Sequence, residues 1–187
     1  MSHVTEKNII IVDCDLLIHE CIIANEGEKA FVYIISPFMS DFKIPRSVVR
    51  FVSNLVSISD VEFYSDLIRL LCDYGGEVCV LTRSPANLQR TNLSTWFINR
   101  QRRLLRKFDE MGVAIKVNPA LHAKATITSQ GALVGSFNLT QSGRFFNIEA
   151  GNYFPNLGGK ESKEYQEKLE WAKKIFEYSD IIDRDQL

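Results

Sequence analysis

Residues 121–143 read LHAKATITSQGALVGSFNLTQSG, and two short apolar runs inside them, 122–128 and 132–135, flank a turn signal at Ser129, Gln130 and Gly131. This spacing predicts a β-hairpin. Side chains two apart on an extended strand point the same way, so His122 and Lys124 share a face and can share one ligand. Past the second strand, Gly135, Ser136 and Asn138 combine a glycine that permits close backbone approach with two side chains able to hydrogen-bond phosphate oxygens. A short helix over 139–144 would turn its free N–H groups toward the same anion. Imidazole, ammonium, amide and hydroxyl would then surround one phosphate.

Working outward, 15–24 carries the spacing of a short buried helix after an extended NIIIV, and AFVYIIS at 30–36 reads as a central core strand closed by Pro37. A helical spacing runs over 44–58, and Asp60 offers an N-cap for a further helix ending at Gly75 and Gly76. EVCVLT, 77–82, is the next strand. A long helix over 92–111 stops at Gly112, before a strand at 113–117. Beyond the hairpin, 145–154 forms one more strand, and 160–178 is an amphipathic helix with Tyr165, Leu169, Ala172, Ile175 and Phe176 along one stripe. Helices alternating with strands, joined to a hairpin, predict an α/β sandwich with a mixed sheet. There is no internal repeat, low-complexity tract or linker, only a glycine-containing loop, NLGGK. At 187 residues the expectation is a single domain over 1–187.

Composition excludes several classes. With 45% hydrophobic and 24% charged residues the chain is neither disordered nor fibrous. A formal charge of -1 provides no global positive field, so any polyanion site must be local. Cys14, Cys21, Cys72 and Cys79 lack the two-residue gap of zinc knuckles and redox motifs and read as structural thiols. The histidines are His3, His19 and His122, too few for a histidine-rich metal centre, so neither metal nor cofactor is expected. His3 falls on a frayed terminus and His19 within an apolar helical pattern. Trp96 and Trp171 read as packing anchors on helices, and Phe145 and Phe146 as core residues or, being near the hairpin, as rings on which bases could stack. No apolar run reaches the ~18 residues of a membrane span and no leader pattern is present, which points to the cytoplasm and to no membrane partner.

The ordered set of HxK (His122, Lys124), GSxN (Gly135, Ser136, Asn138) and the glutamate of NIE (Glu149) resembles the phospholipase D superfamily. The resemblance covers about 31–154, including a strand ending in SPF and another ending in TR. It implies a phospholipase D-like α/β/α sandwich with a mixed central sheet, and phosphodiester cleavage without metal: one histidine attacks phosphorus to form a phosphohistidine, and a second protonates the leaving oxygen. In this chain His122 would be nucleophile or acid, Lys124 and Asn138 would hold the non-bridging oxygens, Ser136 would add a hydrogen bond, and Glu149 would accept a proton from the His122 ring. Independently, a carboxylate behind an imidazole orients the ring and stabilises its cation, while an ammonium offsets charge building on phosphorus. The chain departs from the family pattern at Ser129, where the family has aspartate, so whatever that carboxylate supports is weakened or supplied elsewhere. The reaction needs two HxK motifs and this chain has one. Small single-motif members use a two-fold dimer, which implies a homodimer with one shared site.

Arg100, Arg102, Arg103, Arg106 and Lys107 form the densest basic cluster, with Arg83 and Arg90 shortly before it. Alone this is a solvated helix face. Beside a phosphodiesterase motif, Arg83, Arg100, Arg103 and Arg106 become candidates for binding a DNA or RNA backbone. Tyr165, Leu169 and Trp171 offer a core stripe or, alternatively, a dimer surface. Three functional classes stay open: an endonuclease on DNA or RNA, a nucleic-acid-binding or scaffold module weakened by Ser129, and a phospholipid phosphodiesterase. The arginine-rich helix and the lack of a membrane-directed segment disfavour the last.

Overall fold

The AFVYIIS run forms strand β2 (Phe31–Ile35), fifth of eight in one mixed sheet. The computed structural model describes residues 2–4, 6–46, 61–145, 147 and 149–187. On one side β2 pairs in parallel with β3 (Glu77–Thr82), which pairs in parallel with β4 (Ala114–Val117), and β8 (Asp180–Ile181) closes that edge antiparallel. On the other side β5 (Ala125–Thr128), β6 (Gly131–Gly135), β7 (Gly151–Pro155) and β1 (Ser2–Val4) follow antiparallel. The predicted hairpin is β5–β6, with Ala125 opposite Val134 and Ile127 opposite Ala132.

Alternation along the strands splits the core in two. Val32, Ile34, Val78, Val80, Ile115 and Val117 face the larger part, under α1 (Glu6–Asn25), α2 (Tyr64–Asp73) and α4 (Thr95–Glu110). Ile35, Leu81, Ala125, Ile127 and Ala132 face the other part, against Tyr165, Leu169 and Ala172 of α6 (Lys163–Glu177). Each fully buried aliphatic or aromatic side chain of this kind contributes about 1.5–3 kcal/mol. Helices therefore cover both faces of a mixed sheet, the predicted α/β/α sandwich.

Several local expectations are corrected. NIIIV is helical, because α1 runs unbroken over 20 residues and buries more than one side of itself: Cys14, Leu17 and Cys21 enter the larger core while Ile9 and Leu16 pack on Leu133 and Phe137. His3 belongs to a paired strand, opposite Asn152, rather than to a frayed end. A further short helix, α3 (Pro85–Gln89), precedes α4; Ser84 caps it, with its side chain accepting from Asn87 N. The strand expected over 145–154, β7, begins at Gly151 rather than at 145, after the short helix α5 (Gln141–Phe145). Tyr165 and Leu169 are buried under the sheet, so they form no dimer surface. Gly112, at φ +78°, ends α4 in the left-handed conformation that glycine tolerates. The helix expected over 44–58, the N-cap expected at Asp60, and the packing of Phe145 and Phe146 fall largely outside what is described. No described helix is long and apolar enough to cross a membrane.

Candidate active site

Because β2, β3 and β4 run parallel and β5 runs against β2, one end of the sheet gathers the carboxyl ends of β2, β3, β4 and β6 with the amino ends of β5 and β7. In open α/β sheets this is where ligands collect. His122 lies just before β5, exposed, and Lys124 is buried at 7% exposure. Lys124 Nζ donates to His122 O at 2.6 Å and lies 3.5 Å from His122 Nδ1, so the two side chains meet, although both precede β5, which begins at Ala125 and not at 122 as expected, and strand alternation is not what pairs them. Gly135 N donates to Lys124 O at 3.2 Å, which fixes the end of the hairpin beside them.

Gly135 is required there. A Cβ on it would stand 2.4 Å from Ala150 O and 2.4 Å from Phe137 Cε1, inside van der Waals contact. Ser136 follows, exposed; its hydroxyl donates to Glu149 Oε2 and accepts from Ala150 N at 3.2 Å. Glu149 Oε1 accepts from Asn147 Nδ2 at 3.2 Å. The expected Glu149–His122 hydrogen bond is thus replaced: the carboxylate holds Ser136 and Asn147, and His122 Nδ1 looks instead toward an ammonium. Asn138 Oδ1 is buried with no hydrogen-bond donor among the described residues. That oxygen is an acceptor, so an anion could be met only by the Nδ2 donor of the same amide.

Burial holds the Lys124 ammonium below the ordinary lysine range; the Glu149 carboxylate opposes the shift and the Arg83 guanidinium adds to it. Arg83, predicted from the sequence, stands at this sheet end with Nε donating to Leu121 O at 2.9 Å, one residue before His122. Its guanidinium lies 5.7 Å from the Phe38 ring centroid. The other predicted arginines spread out, because α4 returns antiparallel to the strands it connects and carries its later residues away. Arg100 Nη2 donates to Asp41 O at 2.9 Å, Arg103 is exposed, and Arg106, about 16 Å along the helix axis from Thr95, donates to Leu187 O at 2.6 Å. Arg106 serves the tail and not the cleft.

Ser129 occupies the turn at the opposite end of β5. Its N–H and hydroxyl donate to Glu20 Oε1 at 2.9 and 2.6 Å, and Phe31 N donates to Glu20 Oε2 at 3.0 Å. The carboxylate missing at 129 is supplied by α1, remote from His122. The short helix α5 offers little to an anion, since Leu139 N, Thr140 N and Gly143 N already bond Ser36 Oγ, Asn138 O and Thr140 Oγ1. Trp96 does not anchor packing; it is 63% exposed on the rim. Among the described residues no three His, Cys, Asp or Glu side chains group as metal ligands. Cys14, Cys21, Cys72 and Cys79 form no disulfide, and burial pushes the Cys21 thiol up to about 12.

No protein-family model matches the chain, and no curated protein matches it in sequence. Solved structures match it in shape. Nuc from Salmonella typhimurium, a phospholipase D family member, superposes with TM-score 0.55 and 14% identity over 87% of this chain and 88% of its own. NucT from Helicobacter pylori gives TM-score 0.57 and 11% identity over 97% of this chain and 98% of its own. TrmBL2, an archaeal chromatin protein whose structure shows a mode of DNA binding, gives TM-score 0.51 and 11% identity over 97% of this chain and 54% of its own. The chain therefore shares the fold of Nuc, a phospholipase D family member, and of NucT.

Proposed function

We propose that the chain is a metal-independent phosphodiesterase, an endonuclease on DNA or RNA that works through a phosphohistidine in a homodimeric site. What supports this reading above all is the His122–Lys124 contact, with the Ser136–Glu149 bond and Arg83 near it, at one end of a phospholipase D-like sheet. A ring nitrogen of His122 attacks phosphorus; the P–N bond forms as the P–O bond to the leaving nucleoside oxygen breaks. His122 of the partner subunit donates the proton that oxygen needs. Water then attacks phosphorus, the P–N bond breaks, and the partner's imidazole takes a proton from the water.

The surrounding groups have separable tasks. Lys124, Arg83 and the Asn138 amide hold non-bridging oxygens where charge grows in the transition state. The Glu149 carboxylate orients the Ser136 hydroxyl and offsets the two cations. The scissile phosphate needs no base-specific contact, so the reaction tolerates many sequences.

Labelled single- and double-stranded DNA and RNA, incubated with the protein with and without a chelator, test the proposal. Chelator-resistant cleavage that disappears in His122→Ala is expected, a loss of at least about a thousandfold for a covalent nucleophile. Cleavage that survives His122→Ala removes the proposed nucleophile, and cleavage of phospholipid vesicles in place of nucleic acid removes the proposed substrate.

A further inference from the structure

Tryptophan normally buries about 150–250 Å² of surface, yet Trp96 is 63% exposed. The buried stripe of α4 is Ile98, Gln101, Leu104, Leu105 and Phe108, and Trp96 lies roughly 200° around the helix from Ile98. One face of its ring is propped: the Arg100 guanidinium lies 4.8 Å from the ring centroid and is itself held by Asp41 O at 2.9 Å. Much of the ring is left to solvent. Arg103 follows at the i+7 position on the same stripe, exposed, about 10 Å along the axis.

Side chains in contact connect this rim to the candidate active site. Phe97, next to Trp96, meets Phe38 edge to face at 6.1 Å between centroids. Arg83 stands over Phe38 and bonds the carbonyl beside His122. The rim thus offers an open indole backed by a cation, with further cations at Arg83 and Arg103 that complement a phosphate chain.

We propose that the Trp96–Arg100 rim is a stacking platform for an unpaired base, so that the ligand is single-stranded nucleic acid whose chain continues past Arg83 toward His122; this rests on the nuclease reading of the site. A base inside a duplex has both faces covered by its neighbours, whereas a base in a single strand can lay one face on an aromatic ring, and every base has such a face. The platform selects strandedness and leaves sequence unread.

Trp96 and Trp171 are the two tryptophans of the chain, so Trp171→Phe leaves Trp96 as the only indole. In that background, a short oligothymidylate or oligouridylate should quench the fluorescence, and a blunt duplex of equal length at equal nucleotide concentration should not. By anisotropy of the labelled strand, Trp96→Ala should weaken binding about tenfold, and Trp96→Phe should recover most of it. Binding without quenching, or an unchanged affinity in Trp96→Ala, overturns the platform. A fall from dimer to monomer in Trp96→Ala, seen by sedimentation, also overturns it and makes the rim a contact between copies. Cleavage by the wild type with no Trp96 effect leaves the nuclease reading standing without the platform; binding and quenching without cleavage leave the platform standing without the nuclease. No binding of either strand overturns both.

Discussion

Lys124 carries the most consequential single charge in the cleft. At 7% exposure its ammonium has lost most of its water, and burial lowers its pKa from the ordinary 10.5; Glu149 raises it and Arg83 lowers it further. The unfolded chain therefore holds the proton to higher pH than the folded one. Stability from this group rises as pH climbs from the folded value toward 10.5, and the penalty of the buried cation is present at all lower pH. Turnover that needs the cation fails in the same interval, so the alkaline limb of kcat/KM on a small phosphodiester should fall below 10.5. Arg83→Ala removes a repelling cation and should move that limb up, whereas Glu149→Gln removes an attracting carboxylate and should move it down. Shifts of the same sign in both variants would mean another group sets the limb. Gly135 is the second decisive residue: Ala150 O and Gly151 Cα are backbone atoms, 2.4 and 2.8 Å from where a methyl group would stand, and cannot yield without opening the β6–β7 pair. Gly135→Ala should cost about 1–3 kcal/mol, a fall in Tm of roughly 3–10 °C by calorimetry, and should misplace Ser136.

Among the elements, α1 shows how a missing residue is compensated. Glu20 is fully buried and its carboxylate gathers three donors, from Ser129 N, Ser129 Oγ and Phe31 N. It ties the helix to β2 and to the hairpin turn, at the end of the sheet away from His122. Ser129→Asp would set a second carboxylate against Glu20, and two such groups cannot both stay ionised at hydrogen-bond distance. The expected outcome is a loss of about 2–3 kcal/mol in urea unfolding with no gain in turnover, and recovery of much of that stability in Ser129→Asp combined with Glu20→Ser. A rise in turnover in the single variant would restore the idea of a module weakened at 129. The same contacts mark what could be read in the chain. β3 at 77–82 and the β5–β6 hairpin were legible because their signals are local; within the candidate site the nearness of His122 and Lys124 lies inside one short stretch, whereas the partners of Glu149, Ser136 and Asn147, were not foreseen. The start of α1 was hidden because burial on two sides erases the apolar period. The Glu20–Ser129 bond, which joins residues 109 apart, and the Arg83 bond to Leu121, 38 apart, depend on the fold and left no mark at either partner. Trp96 looked like a core anchor because its chemistry is apolar, and only its angular position on α4 shows it on the rim.

The whole molecule carries a formal charge of -1, so the proposed attraction to a polyanion would have to come from the few cations around the cleft and would be screened over about 8 Å at physiological ionic strength. Binding should accordingly weaken with salt, with a slope set by those few contacts. With a single HxK per chain, the proposed homodimer would make the stoichiometry of the site a property of the assembly. If one imidazole attacks and the partner's imidazole protonates, a dimer with one His122→Ala subunit lacks one half of the chemistry. Wild-type and His122→Ala subunits, mixed in equal amounts and allowed to exchange, would then keep about one quarter of the wild-type activity, the share of dimers with both histidines. Subunits that work alone would keep about half. The curve across a series of mixing ratios separates the two, since it bends as the square of the wild-type fraction in the first case and is straight in the second. Sedimentation under assay conditions fixes the oligomer at the same time, and a monomer that still cleaves would rule out the shared site.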